Sequence, residues 1–356
     1  MLSGVRPGAI AGTTRLSRAG GMHVIYYRSP SGNFGDDLNA VLWRELLPPA
    51  AFEADDAVLL GIGSIFRDDF LTDAATENKR IFVLGSGAGT GPLPKRWPEP
   101  AWSILAVRGP LTGRLIGRPG ASVTDAAALL MVANGLKPET AQRTDVVFFP
   151  HYNSVNSSRW PDICKHLGFV FVDAHWPPET VLRIISRARL VVTEAMHGAI
   201  AADTLRVPWI PVVCSPEIAT FKWRDWTASL DLPYRPIAIP PSSGWEALKH
   251  RKLRLLDGLN QCPGASANDT ELIDDFHRRF GGDIADANGS SKSRKRASSV
   301  LGKGAAIFDR LFMDRAAAAL DRAAKERSYL SDERVLADRI ERLQGAVAEL
   351  RRALAV

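Results

Sequence analysis

The sequence predicts an α/β protein with two parallel sheets and a helical C-terminal tail. Three observations support that class. Short apolar runs end in Gly or Asp turns, helical patterns separate them, and a second such series follows the first. A basic break near residue 284 then divides both series from an Ala/Arg/Glu-rich end.

Residues 1–21 are small, polar and Gly-rich, and are expected to be a disordered extension or an overlong start; they lack the apolar core of a signal peptide. The first strand is His23–Tyr27, a β-branched and aromatic run stopped by Arg28-Ser29-Pro30. Ala57–Gly63, Arg80–Gly87, Ser103–Gly109 and Ala121–Asp125 continue the series, with helices expected over Asp37–Leu47, Phe66–Ala74 and Pro110–Ile116. The second series comprises Asp145–Pro150, Gly168–Asp173, Arg189–Glu194 and Pro208–Val213, with helices over Pro178–Ala188 and Met196–Thr204. Near-continuous apolar strands are those of parallel sheets covered on both faces. The expected organisation is a Rossmann-like domain over 22–140, a second over 141–283, a basic linker over 284–300 and a helical tail over 301–356. In the tail, Leu336, Ile340, Leu343, Val347, Leu350 and Leu354 are spaced 4-3-4-3-4, the seam of a coiled coil. That seam fits a helix folding back on its own domain, self-association into a homo-oligomer, or contact with a membrane surface.

Composition narrows the function. The 356 residues are 46% hydrophobic and 24% charged, as in a soluble globular protein. No apolar run approaches the roughly 18–20 residues of a membrane span, and the chain reads as cytoplasmic, with room for peripheral contact at the inner membrane face. From Lys292 onward there are 15 Lys/Arg against 9 Asp/Glu, which accounts for the whole formal charge of +6. The globular part is thus neutral and offers no field for nucleic acid. Three cysteines, far from metal-ligand spacing, support neither a disulfide framework nor a metal site.

Ligands of open α/β sheets bind beyond the carboxyl ends of the strands, so chemistry is expected in five strand-end loops. Ser31–Asn39 brings Asn33 and the adjacent acids Asp36 and Asp37 to a helix start, more carboxylate than one N-cap requires. Gly61-Ile62-Gly63-Ser64 and Gly85-Ser86-Gly87 strip side chains so that a ligand or another backbone can approach. Neither has the dinucleotide spacing, and no P-loop occurs. Arg108 stands between a strand and a helix begun by Pro110, a good place to hold an anion. Asp125, closing the next expected strand, is a partner for Arg108 or a ligand for substrate. Glu194 and His197 flank a helix start in the second series, where a histidine can exchange protons. Lys222-Trp223-Arg224 interleaves cations with an aromatic, suiting an anion beside a stacked sugar.

In this order, Asn33–Asp37, Gly61–Ser64, Leu84–Gly87, Val107–Pro110, Thr124-Asp125, Met196–Gly198 and the Lys222 segment resemble the polysaccharide pyruvyl transferase family. The likeness is to its ketal-pyruvate transferases of acidic exopolysaccharides such as succinoglycan. The resemblance implies a glycosyltransferase-B-like pair of domains, phosphoenolpyruvate as donor and co-substrate, no further cofactor, and a saccharide acceptor, usually lipid-linked. Many members carry Arg-Leu-His where this chain has Ala195-Met196-His197, so an anion contact must come from elsewhere. Ketal formation needs a proton for the enol carbon, a base for the sugar hydroxyls and cations for phosphate and carboxylate. The roles expected are His197 as acid, Asp36 or Asp37 as base, and Arg108, Lys222, Arg224, Ser64 and Gly87 around the donor. Asn33, Asp125, Glu194 and Trp223 are expected around the acceptor. Two other readings remain: a nucleotide-sugar glycosyltransferase of the same fold, and a non-catalytic scaffold assembled through the heptads.

Overall fold

In the computed structural model, residues 22–71, 76–95, 97–98, 101–138, 142–156, 158–255, 266–281 and 309–356 are described. The expected extension over 1–21 and linker over 284–300 lie outside them. The apolar runs of the first series pair into a four-stranded parallel sheet in sequence order: β1 (His23–Ile25), β2 (Ala57–Leu60), β3 (Arg80–Ser86) and β4 (Trp102–Val107). The second series forms a five-stranded parallel sheet in the order β6-β5-β7-β8-β9. Its strands are β5 (Asp145–Phe149), β6 (Val170–Phe171), β7 (Ala188–Thr193), β8 (Trp209–Val213) and β9 (Ile237–Ala238). Every residue of β2 is buried, as the lack of polar alternation in its sequence requires.

Eleven α-helices among the described residues cover and link the sheets. They are α1 (Phe34–Leu46), α2 (Pro110–Leu115), α3 (Tyr152–Val155), α4 (Trp160–Leu167), α5 (Pro178–Arg187) and α6 (Met196–Thr204). Then follow α7 (Thr220–Ser229), α8 (Gly244–Leu255), α9 (Asp269–Phe280), α10 (Asp309–Ala323) and α11 (Glu333–Ala353). Two expected elements are corrected. Ala121–Asp125 is not a strand: Ser122 makes one isolated bridge to Val107, and Asp125 then caps a 3-10 turn over Ala126–Met131. In place of a helix over Phe66–Ala74, the described part holds only a 3-10 turn at Asp68–Phe70, with Arg67 bonded to Asp69 beside it. Residues 72–74 of that expected helix lie outside the described residues.

Of the three readings of the heptad seam, the structure takes the helix folded back on its own chain. Leu336, Ile340, Leu343, Val347, Leu350 and Leu354 are all buried within this chain, where α11 packs across β3, β4 and the turn at Ala126–Met131. No apolar seam remains for a coiled-coil partner. α10 lays Ala316, Ala319 and Leu320 against Ile163 and Cys164 of α4, on the second sheet's side. Between the two helices, Tyr329 pairs with Trp209 of β8, and Ser331 bonds Asp203 of α6. At its other end α11 receives a bond from Arg80 of β3 on Ala353 O, 2.6 Å. The C-terminal helices therefore strap the second sheet to the first. Among the described residues, no helix is long and apolar enough to cross a membrane.

Leu343 has no exposed surface, so Leu343→Ala should lower the unfolding free energy by about 2–5 kcal/mol in urea titrations. The wild-type melting temperature should not rise with protein concentration, as association through the seam would demand.

Candidate active site

The carboxyl ends of β1, β2, β5, β7 and β8 converge on one cleft of about 520 Å³. Of the residues expected at the site, Asn33, Asp36, Ser64, Glu194, His197, Lys222 and Trp223 line it. Asp37, Gly87, Arg108, Asp125 and Arg224 do not.

The two acids at the start of α1 have separate tasks. Asp37 Oδ2 accepts from Asn33 N at 2.8 Å and closes the first turn of the helix, which is plain capping. Asp36 turns into the cleft, where Asn33 Nδ2 donates to its Oδ2 at 2.5 Å. Burial raises Asp36 to about 6, with His197 and Lys222 pulling the other way. Gly35 between them is required by a close approach: a Cβ there would lie 2.0 Å from His197 Nδ1.

His197, in the first turn of α6, crosses from the second sheet to the first. Its Nε2 lies 3.7 Å from Asp125 Oδ2, too far for a hydrogen bond, and both atoms are buried without a hydrogen-bond partner. Asp125 Oδ1 meanwhile accepts from Ala127 N at 2.9 Å. Asp125 has no exposed surface, so it stands behind His197 rather than facing an acceptor as expected.

Glu194 is held differently. It accepts from His151 N at 3.1 Å, Cys214 N at 2.7 Å and Ser215 N at 2.6 Å, joining the ends of β5, β7 and β8. Burial raises it to about 7, against the pull of these bonds. His151, beside it, is pushed down to about 3 by burial first and then by Lys222 and Lys249, so it is neutral. His151, Tyr152 and Glu217 line the cleft and were absent from the sequence expectations. They follow β5 and β8, and the rule that singled out the other strand-end loops applies equally to these two.

The expected anion contact at Arg108 is corrected. Its side chain has no exposed surface. Nε meets Asp225 Oδ2 at 3.1 Å, Nη1 meets Ser64 Oγ at 2.7 Å, and Nη2 bonds Ala88 O. Gly87 makes room for this guanidinium, since a Cβ would lie 2.4 Å from Arg108 Cζ. Arg224 is turned away too, bonding Asp269 Oδ1 of α9 at 3.1 Å. Trp223 is 2% exposed and stacks on Tyr234 with centroids 5.1 Å apart, leaving little face for a sugar. Lys222 is the cation of its segment that reaches the cleft. Among the described residues, no three His, Cys, Asp or Glu side chains gather as metal ligands would.

A family model described as polysaccharide pyruvyl transferase matches residues 17–216, more than half of the chain. The chain belongs to that family. The matched span holds Asp36, Ser64, Arg108, Asp125, Glu194 and His197 and ends before Lys222. The chain is also 34% identical over 336 residues to the succinoglycan biosynthesis protein ExoV of Rhizobium meliloti (strain 1021), covering 93% of this chain and 99% of that protein. As a pyruvyl transferase family member it is an enzyme, and the non-catalytic scaffold reading falls with the buried heptads.

Two outcomes test this geometry. Asp225→Asn leaves Arg108 charged and buried without its counter-ion, and should cost about 3–5 kcal/mol in urea unfolding. Folded Glu194 keeps its proton to about pH 7, whereas its ordinary value is 4.5. The folded state thus binds more protons across that window, and stability from this group falls as pH rises through it. Glu194→Gln removes that slope. The wild-type-minus-variant difference in unfolding free energy should fall by about 2.5 kcal/mol between pH 5 and pH 8.

Proposed function

We propose that this enzyme transfers the pyruvyl group of phosphoenolpyruvate to a saccharide of an exopolysaccharide repeat unit, closing a ketal over two sugar hydroxyls. The observation that carries the reading is the meeting of Asp36, His197 and Lys222 in one cleft, with Asp125 behind the histidine. The name of the succinoglycan relative supports the polymer class. The two sheets are read as paired Rossmann-like domains, 22–140 and 141–283, in a glycosyltransferase-B-like arrangement with the cleft between them.

The parts divide the reaction as follows. Lys222 holds the anionic donor by charge. Ser64 Oγ accepts from Arg108, so its own proton is left to donate toward a phosphate or carboxylate oxygen. His197 delivers a proton to the enol carbon as the first sugar hydroxyl attacks the adjacent carbon and passes its proton to Asp36. Phosphate then leaves, the second hydroxyl adds to the same carbon, and its proton leaves through the same pair. The sum is one ketal and one phosphate per phosphoenolpyruvate. Asn33 holds Asp36 from beside it and, with Glu194 fixing the cleft floor, borders the acceptor.

Purified protein incubated with phosphoenolpyruvate and a panel of lipid-linked or model saccharides should add a pyruvyl mass to one acceptor, with equal phosphate release. His197→Ala and Asp36→Asn should each slow turnover by about 10²–10⁴-fold, and Lys222→Met should raise the KM for phosphoenolpyruvate more than it lowers kcat. Undiminished turnover in His197→Ala would remove that residue from the chemistry. Thermal protection by a nucleoside diphosphate in place of phosphoenolpyruvate would favour the nucleotide-sugar reading.

A further inference from the structure

Helix α8 has two unlike faces. Glu246 and His250 are buried on one, where Glu246 accepts from Ser242 N at 2.6 Å and from Trp160 Nε1 at 3.3 Å. On the other, Trp245 and Leu248 are each 38% exposed, and Arg251, Lys252 and Arg254 are exposed with them. Positions 245, 248 and 252 fall on one helical stripe, with Arg251 one turn from Leu248. The outer face carries no carboxylate, because Glu246 is the one acid of α8 and it is buried.

The start of α10 joins this surface. Asp309 Oδ1 accepts from Gly244 N at 2.9 Å and its Oδ2 from Arg159 Nε at 3.0 Å, clamping the two helix starts together. The next residues, Arg310 and Leu311, are exposed, Leu311 by 50%. Five large apolar side chains are exposed among the described residues, and three of them, Trp245, Leu248 and Leu311, stand at these two helix starts.

We propose that the outer face of α8, with the first turn of α10, docks on an anionic lipid bilayer. A few apolar side chains fall short of the roughly 800 Å² per partner that a stable protein interface buries. A bilayer surface accepts this combination: indole and leucine enter the headgroup boundary while Arg and Lys reach lipid phosphates. The placement also suits a membrane-held acceptor. From the shoulder of α8, Lys249 Nζ bonds Glu217 Oε2 at 2.7 Å and Asn153 O at 2.8 Å, and Glu217 lines the cleft. Docking would therefore hold the cleft wall about one helix diameter, on the order of 10 Å, from the lipid.

The test is flotation of the full chain with vesicles of phosphatidylcholine alone or with one-third phosphatidylglycerol. The wild type should float with the anionic vesicles, less so as salt rises. Arg251→Glu/Lys252→Glu and Trp245→Ser/Leu248→Ser should each reduce binding on the order of ten-fold, while keeping the wild-type melting temperature and turnover on a soluble saccharide. Equal flotation of both variants and wild type would overturn the proposal. So would wild-type binding that ignores lipid charge, or binding abolished only when Lys292, Arg294, Lys295 and Arg296 become serine. Flotation is read without any turnover, so failure of the pyruvyl-transfer reading leaves this result standing.

Discussion

Arg108 and Asp225 form an ion pair with no exposed surface on either side chain, and the cleft depends on it. A buried charge is tolerable only when its counter-ion and hydrogen bonds are all supplied. Here they come from separate elements. Asp225 of α7 also takes the amide and hydroxyl of Thr112 in α2, at 3.0 and 2.6 Å. Gly109 admits α7 closely enough that a Cβ would lie 1.8 Å from Asp225 O. The consequence is positional. Lys222 lies three residues before Asp225 on α7, so locking Asp225 to the end of β4 fixes where Lys222 enters the cleft. Arg108 holds Ser64 at the same time, which ties the loop after β2 into the lock.

The lock would fail if the two sheets moved independently, and α11 resists that. Its apolar stripe is buried over β3 and β4, while the segment leading into it is paired to Trp209 of β8 and to Asp203 of α6. His197 exploits the resulting fixed geometry. It belongs to α6 of the second half, yet its ring packs on Gly35 and faces Asp125 of the first. Relative displacement of the halves by a few ångströms would break both contacts.

The strands were legible in the sequence because a buried parallel strand is a continuous apolar run, and eight of the nine show one, four of them (β2, β3, β4 and β6) closed by a Gly or Asp turn. β9, with two residues, leaves too short a run. The strand expected at Ala121–Asp125 failed because Asp125 bonds its own chain two residues on and turns it. The period of α11 was legible, but a heptad seam buried against a sheet has the same spacing as one buried against a second helix. At the site, residue type identified Arg108 and Asp125 as unusual without revealing which side of the cleft wall they occupy. Depth relative to the wall depends on packing between loops far apart in sequence, as with Asp225, 117 residues from Arg108.

Asp36 and Glu194 show why an elevated carboxyl does not by itself name the base. Burial raises both, to about 6 and about 7. Glu194 is committed to three backbone amides at the ends of three strands, so its oxygens are occupied whatever enters the cleft. Taking a substrate proton would weaken bonds that hold the floor of the site. Asp36 receives a side-chain bond from Asn33 on Oδ2 and stands near His197 and Lys222 in the cleft. A sugar hydroxyl can therefore reach Asp36 Oδ1 without dismantling the sheet ends. In the proposed reaction, hydrogen-bond occupancy rather than the height of the pKa is what favours Asp36 over Glu194 as the base.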